Sequence, residues 1–167
     1  LGAAGPAAPS TAHAFERALA LCARVDDLPH TLMALRGLST VVLFQGYLQP
    51  AQALAERLLC LSHRVGDRVH RHKAHLQLGR IAFYRGELQA ARTHEEQALT
   101  LAPPPHDGSS RDMGSDMGVD ARAYLAQCLW LLGYPDQARA CVQASLDLTD
   151  TYPHPMSRVQ SLAQAVH

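Results

Sequence analysis

Four histidines, His63, His70, His72 and His75, are the first residues of this sequence whose type and spacing point to a reaction centre. Imidazole nitrogens are common metal ligands, and zinc takes four ligands in a tetrahedral arrangement. His72 and His75 would share a helix face, but His70 and His72 would not. No Cys or carboxylate nearby completes a set, so we expect no metal and no cofactor here.

Histidines also recur near the start of predicted helices, at His30, His70 and His154. Their regular placement predicts a repeated structural role at helix entry.

A second group that could bind a cation is acidic: Asp107, Asp112, Asp116 and Asp120. Carboxylates that converge in a loop bind Ca²⁺ or Mg²⁺. Their spacing lacks the EF-hand order, and nearby glycines disfavour the helix that would align them. We therefore predict a solvated loop.

No sequence motif places a general base beside a possible catalytic nucleophile. A Ser, Cys or Asp nucleophile needs a base within hydrogen-bonding reach, and no motif provides one; the phosphate-binding GxxxxGK[ST] pattern is absent. The cysteines are far apart in apolar helical patterns, which predicts reduced, buried side chains: Cys22, Cys60, Cys128 and Cys141. The chain is not expected to be an enzyme.

Composition narrows the function further. The 167 residues contain 15 Lys plus Arg and 15 Asp plus Glu, so no net field attracts nucleic acid or an anionic membrane. No segment approaches the length of about 18 apolar residues that a membrane span requires. We expect a cytoplasmic protein that contacts neither nucleic acid nor membrane directly, and a flexible linker at residues 1–10, which are rich in Ala, Gly and Pro.

The chain repeats itself. Residues 15–51 and 55–91, aligned at a shift of 40, share 14 of 37 positions, and residues 124–148 form a third copy at a shift of 47. Each copy has two runs of apolar residues at helical spacing and no strand alternation. Repeats of this period predict a solenoid of stacked helical hairpins. Gly46, Gly86 and Gly133 would be the turns, because glycine adopts the left-handed conformation beyond a helix end most easily.

These repeats predict an all-α superhelical array of about three and a half antiparallel hairpins. The predicted helices span 11–25, 29–45, 49–65, 69–85, 88–101, 119–132, 135–149 and 155–166. After the linker, 11–167 forms one domain, with units at 11–27 (a half repeat), 28–66, 67–103, 119–150 and 153–167 (a half repeat), and an inter-repeat loop at 104–118. The exposed ends of such an array favour self-association.

The second copy resembles the tetratricopeptide pattern through Leu78-Gly79, Gly86, Leu88, Ala91, Ala98, Leu99 and Pro103. A HEAT or armadillo-type array is the alternative. The words "AFERALALC", "RGELQAARTHEEQAL" and "LWLLGYPDQA" look like the tetratricopeptide region of large bacterial signalling ATPases, including cyclase-linked and transcription-regulator types. That resemblance implies a sensing or docking part of a larger signalling protein.

The resemblance also implies which residues face the concave groove, where such repeats bind peptides. They are Met33, Arg36, Thr40, Leu43, Lys73, Leu76, Arg80, Phe83, Asp120, Ala123, Gln127 and Trp130. Arg36, Lys73 and Arg80 would form a basic wall for a peptide carboxylate. Trp130 would either stack on a ligand or pack between hairpins. We predict a non-catalytic module for a protein or peptide partner, of which an acidic peptide is the sharpest candidate; the alternatives are a small-molecule effector domain and a self-association scaffold.

Overall fold

In a computed structural model, the chain folds into seven antiparallel helices within the residues that the structure describes, which are 8–102, 111–112, 115–151, 157–159 and 161–162. The helices are α1 (Pro9–Val25), α2 (Leu28–Phe44), α3 (Leu48–Arg64), α4 (Arg68–Tyr84), α5 (Leu88–Leu101), α6 (Met117–Leu131) and α7 (Pro135–Thr151). Residues 157–159 and 161–162 are also helical. Residues 1–7 of the predicted linker, together with Asp107 and His154, lie outside the described residues.

A small hairpin precedes α6. Strands β1 (Arg111–Asp112) and β2 (Ser115–Asp116) pair antiparallel, with Arg111 opposite Asp116. The predicted loop therefore contains a short pairing of backbone groups. The helix after it begins at Met117, two residues earlier than the sequence indicates.

Helices α2 and α4 begin with the same capping arrangement. The carboxylate of Asp27 accepts hydrogen bonds from the backbone N–H of His30 at 3.2 Å and from its ring Nδ1 at 2.7 Å. Asp67 does the same for His70, at 2.9 and 2.8 Å. An N-cap aspartate satisfies backbone donors that the first helical turn leaves unpaired. The predicted structural role of His30 and His70 is confirmed.

Glycine closes four of the turns between helices. Gly46, Gly66, Gly86 and Gly133 have φ values of 85°, 71°, 76° and 84°. In the Gly86 turn, the N–H of Glu87 reaches back to the carbonyl of Ala82 at 2.9 Å, which satisfies an acceptor that the helix end leaves open. Gly66, between α3 and α4, forms a fourth glycine turn in addition to the three that the sequence pattern predicts.

Each helix packs against its neighbours in the chain, and α4 also contacts α2 and α6. We call α2, α4 and α6 the first helices, and α1, α3, α5 and α7 the second helices. Helices α2 and α4 each cover the groove formed by the next two helices. Leu32 and Leu35 of α2 pack on Leu58 of α3 and Ala74 of α4, and Leu76 of α4 packs between α5 and α6. The core therefore runs as one continuous series along the array.

Among the described residues, no helix has both the length and the apolar composition to cross a membrane.

Candidate functional site

The candidate site is the exposed face of the first helices, which we call the first-helix face. Because α4 contacts both α2 and α6, the three helices form one continuous surface. In a tetratricopeptide array the first helices line the concave side. Met33 and Trp130 are 51% and 54% exposed there, and the half-buried predicted residues are Arg36, Thr40, Lys73, Arg80, Phe83, Asp120 and Gln127.

Three predicted groove residues lie in the core instead. Leu43, Leu76 and Ala123 are 6%, 7% and 3% exposed. Leu43 packs with Ala51 and Ala55 of the following helix. The prediction was wrong at these positions because each first helix turns one side toward the next hairpin, and these residues lie on that side.

Arg80 is bound within the protein. Its guanidinium lies 3.6 Å from the Asp120 carboxylate and 5.0 Å from the centre of the Tyr124 ring. Both partners belong to α6, so Arg80 joins two first helices. Its charge is balanced by Asp120 and is less available to a ligand than the basic-wall hypothesis assumes.

An aromatic group lies next to Arg80. The rings of Phe83 and Tyr124 meet edge to face at 5.8 Å, and the hydroxyls of Tyr84 and Tyr124 are 3.3 Å apart. Burial raises the pKa of Tyr124, so the phenol stays protonated. Sequence spacing did not reveal this group because Tyr124 and Phe83 are far apart in the chain.

A groove of about 1130 Å³ lies between α1 and α2. Apolar side chains of both helices line most of it, and Arg36 and Thr40 lie at its border with the first-helix face. The principal apolar lining residues are Phe15, Ala18, Leu21, Val25, Met33 and Val41. The repeat alignment contained a signal for it, because several of these residues align with core residues of the next unit.

The described residues contain no group of three or more His, Cys, Asp or Glu side chains placed to hold a metal ion. His72 is buried and bonds the carbonyl oxygen of Ala98 at 2.7 Å. His75 instead meets His94 of α5, with 3.1 Å between their Nδ1 atoms. These histidines hold α4 against α5.

Lowering the pH is expected to weaken this histidine contact. Burial, together with the charges of His94, His63, His72 and Arg71, lowers the pKa of His75 from 6.5 to about 4. Between these values the unfolded chain takes up a proton that the folded chain does not, so stability falls as pH falls. After allowance for solvent screening of a half-buried ring, we expect a loss of about 1–2 kcal/mol.

The variant His75→Leu tests this expectation, because leucine occupies the equivalent position, Leu35, in the preceding unit. Its stability relative to the parent should rise by that amount as pH falls from 6.5 to 4, measured by denaturant unfolding. His13→Leu, at an exposed site on α1, is the control. An identical trend in both variants would contradict a specific effect of His75.

Glu95 of α5 is completely buried, and neither carboxylate oxygen has a hydrogen-bond partner in the structure. Burial raises the pKa of Glu95 well above its ordinary value, Arg80 opposes this, and Asp120 adds to it. The carboxyl is therefore held protonated. It lies against Gly79, between α4 and α5, so we give it no role in the candidate site.

The cysteines are all free thiols. Cys22 and Cys128 are buried as predicted and Cys141 is half-buried, but the prediction was wrong for Cys60, which is exposed on α3. Burial and the nearby Glu95 raise the pKa of Cys128 to about 12, so that thiol is a poor nucleophile.

No protein-family model and no curated protein matches this chain. A solved structure does. The crystal structure of the nearly identical TPR-like repeats of a candidate kinesin light chain from Podosopora anserina superposes with a TM-score of 0.67 at 18% sequence identity, over 92% of this chain and 73% of that one. The fold is a tetratricopeptide-like (TPR-like) solenoid. Arrays with a TPR-like fold generally provide non-catalytic surfaces for protein contacts.

Proposed function

We propose that this chain is a non-catalytic interaction module that binds a peptide segment of a partner protein along its first-helix face. The observation that carries the proposal is the contact of α2, α4 and α6 in series, which makes one continuous ligand-sized surface. On it, Arg36 and Lys73 supply positive charge, and Thr40 and Gln127 supply hydrogen bonds. Phe83 and the half-exposed Trp130 supply apolar contact area.

The ligand best suited to this face is a segment with a carboxylate and at least one apolar or aromatic side chain. Arg36 can take a carboxylate with two parallel hydrogen bonds. Arg80 serves instead to position α6 through Asp120 and Tyr124. The resemblance to bacterial signalling ATPases supports a place in a larger, cytoplasmic signalling or regulatory protein, where the module acts as a sensor or docking arm.

The proposal predicts that a double variant of this face, Lys73→Ser with Trp130→Ala, loses its partner. Proteins that the parent chain retains from a lysate are identified by mass spectrometry, and the binding segment of each is then titrated by calorimetry. We expect the affinity to fall at least about 10-fold, because both a charged and a stacking contact are removed. Arg80 is left intact because its loss would disturb α6.

The matched control is Arg57→Ser with Val65→Ala, which removes one charge and one exposed apolar side chain from α3 and the turn after it. Its affinity should stay within about 2-fold of the parent. Equal losses in both double variants, or in neither, would contradict binding on the first-helix face. The alternatives to test next would then be a small-molecule effector domain and a self-association scaffold.

A further inference from the structure

The groove between α1 and α2 is the first member of a series whose other members are filled. The groove between α3 and α4 is closed by α2: Leu32 and Leu35 pack on Leu58 and Ala74. The groove between α5 and α6 is closed by α4, where Leu76 packs on Ala98 and Ala121. In both cases the filling element is one amphipathic helix.

The same positions recur in the open groove. At the shift of 40, Ala18 aligns with Leu58 and Val41 aligns with Ile81. Val41 and Ile81 are both buried, at 3% and 1% exposed, and Leu58 is 0% exposed. In the groove, Ala18 is half-buried, whereas Leu21 is 56% exposed and lies at the same position as the half-buried Leu61. These residues have the character of a helix-packing surface, and no helix among the described residues covers them as α2 and α4 cover the other grooves.

The floor of this groove is built from α1 and α2 themselves. The ring of Phe15 lies directly on Gly37, which has no side chain to keep it away. The groove of about 1130 Å³ lies between these two helices. Exposed Leu21, Val25 and Met33 along it form an apolar patch of the kind that marks a binding surface.

We propose that this groove is a docking site for one amphipathic α-helix of a partner polypeptide. The helix runs parallel to α2 and antiparallel to α1, as α2 does relative to α4 and α3 in the next unit. Its contact ridge carries aliphatic side chains at positions i, i+3 and i+11 and a small residue at i+7, which is the pattern of Leu32, Leu35, Ser39 and Leu43 on α2. Recognition is that of a helix in an apolar groove.

Met33, Arg36 and Thr40 belong both to this groove and to the first-helix face, but the inference rests on the apolar lining of α1 and α2 and not on the proposed function. Lys73 and Trp130 do not line the groove, so the variant that tests the first-helix face leaves it unchanged. The two proposals can therefore fail separately. A protein with both surfaces would hold a peptide on the first-helix face and a helix at the edge of the array.

The probe is a synthetic peptide with the sequence of residues 28–45, blocked at both ends and labelled with a fluorophore. This segment already fills the equivalent groove within the protein. Fluorescence anisotropy of the probe is measured against the parent chain. A second peptide, with serine in place of the leucines at 32, 35 and 43, is the control. It has the same length as the first peptide but lacks the aliphatic side chains of the contact ridge.

Two single variants of α1 test the position of the probe. Leu21→Asp changes an exposed groove residue that the fold does not need, and Ala18→Glu places a charge on the groove wall. Ala20→Glu, at an exposed position of α1 outside the groove lining, is the matched control. Circular dichroism of each variant verifies that the helices are retained.

We expect the parent and Ala20→Glu to bind the first peptide with affinities within about 2-fold of each other. Leu21→Asp and Ala18→Glu should each weaken binding at least about 10-fold, and the serine peptide should bind neither protein. No binding to the parent, or equal binding to Leu21→Asp and Ala20→Glu, would overturn the proposal.

A second copy of this chain could occupy the groove in place of the partner helix. Sedimentation velocity of the parent and of Leu21→Asp, without peptide, tests this alternative. If the parent dimerises, Leu21→Asp stays monomeric and neither binds the peptide, the proposal is overturned in favour of a second copy of this chain. A parent that stays monomeric and binds the peptide supports it.

Discussion

Replacing Glu95 by glutamine is expected to raise the free energy of unfolding at pH 7.5 by about 2 kcal/mol and to flatten its decline with rising pH. Glu95 is completely buried, and neither of its carboxylate oxygens has a hydrogen-bond partner in the structure. Burial raises the pKa of Glu95 well above its ordinary value of 4.5, so the folded chain keeps this proton. The effect is large because the folded chain must keep this proton to avoid a buried, unpaired charge, whereas the unfolded chain can release it at no such cost.

The direction follows from proton linkage. Above pH 4.5 the unfolded chain loses the Glu95 proton while the folded chain retains it. The unfolded state is thereby favoured, by up to about 1.4 kcal/mol for each pH unit until the folded group also ionises. Glutamine has the same shape and no proton to lose, so the difference between variant and parent should grow with pH.

The measurement is denaturant unfolding at several pH values from about 4.5 to about 8.5, a range that begins at the ordinary pKa of a glutamate. The adjacent Glu96→Gln is the control, since Glu96 is exposed and pairs with Arg92 on the surface. Glu96→Gln should differ from the parent by no more than about 0.5 kcal/mol at any pH. Parallel pH curves for the parent and Glu95→Gln would show that Glu95 ionises equally in both states and would contradict the prediction.

Gly79→Ala is expected to destabilise the protein by about 1–3 kcal/mol, although alanine is the better helix former. A methyl group at Gly79 would meet the carboxyl group of Glu95, in particular its Oε1. Both residues are buried between α4 and α5, so the carboxyl would have to shift within a close-packed interior. The crowding should therefore exceed the gain in helix propensity.

Gly37→Ala is the matched control because the same crowding has an outlet there. A methyl group at Gly37 would meet the ring of Phe15, which borders the open groove and can turn into it. We expect a change within about 1 kcal/mol. Thermal and denaturant unfolding of both variants measure the difference, and equal losses of stability would contradict the explanation.

A double variant tests the specific contact between Gly79 and Glu95. In the preceding repeat, Ser39 and Ala55 occupy the positions of Gly79 and Glu95. That repeat therefore pairs a larger residue on its first helix with a smaller residue on its second helix. Gly79→Ala combined with Glu95→Ala should lose less stability than the sum of the single variants. If the losses of stability were additive, the crowding at Gly79 would not involve the Glu95 side chain.

The sequence predicts the exposure of some first-helix residues correctly, and its errors have a common cause. The repeat alignment predicts Met33, Lys73 and Trp130 at the surface, and the structure leaves their side chains half-buried or exposed. Leu43 and Leu76 were assigned to the same surface and lie in the core. Helical periodicity identifies a face of a helix, but the angle at which the next hairpin approaches decides where that face ends.

The charges of the site depended on contacts that no spacing in the sequence reveals. Arg80 and Asp120 are 40 positions apart and meet only because α4 and α6 are neighbours in the array. The pairing of His75 with His94 depends in the same way on the register between α4 and α5. The number of cations in the sequence therefore does not show how much positive charge a ligand would meet, as the pairing of Arg80 with Asp120 demonstrates.

The sequence by itself determined the architecture of this protein. Its two internal shifts, its turn glycines and its helical apolar spacing predict eight helices, and the first seven agree with the structure to within two residues at each end. These signals are local, because a helix and its turn are specified by residues close together in the chain. Only the tertiary structure decided which surfaces are filled and which are open. The groove between α1 and α2 and the buried carboxyl of Glu95 exist because separate helices meet at particular distances, and those distances are set by packing along the whole array.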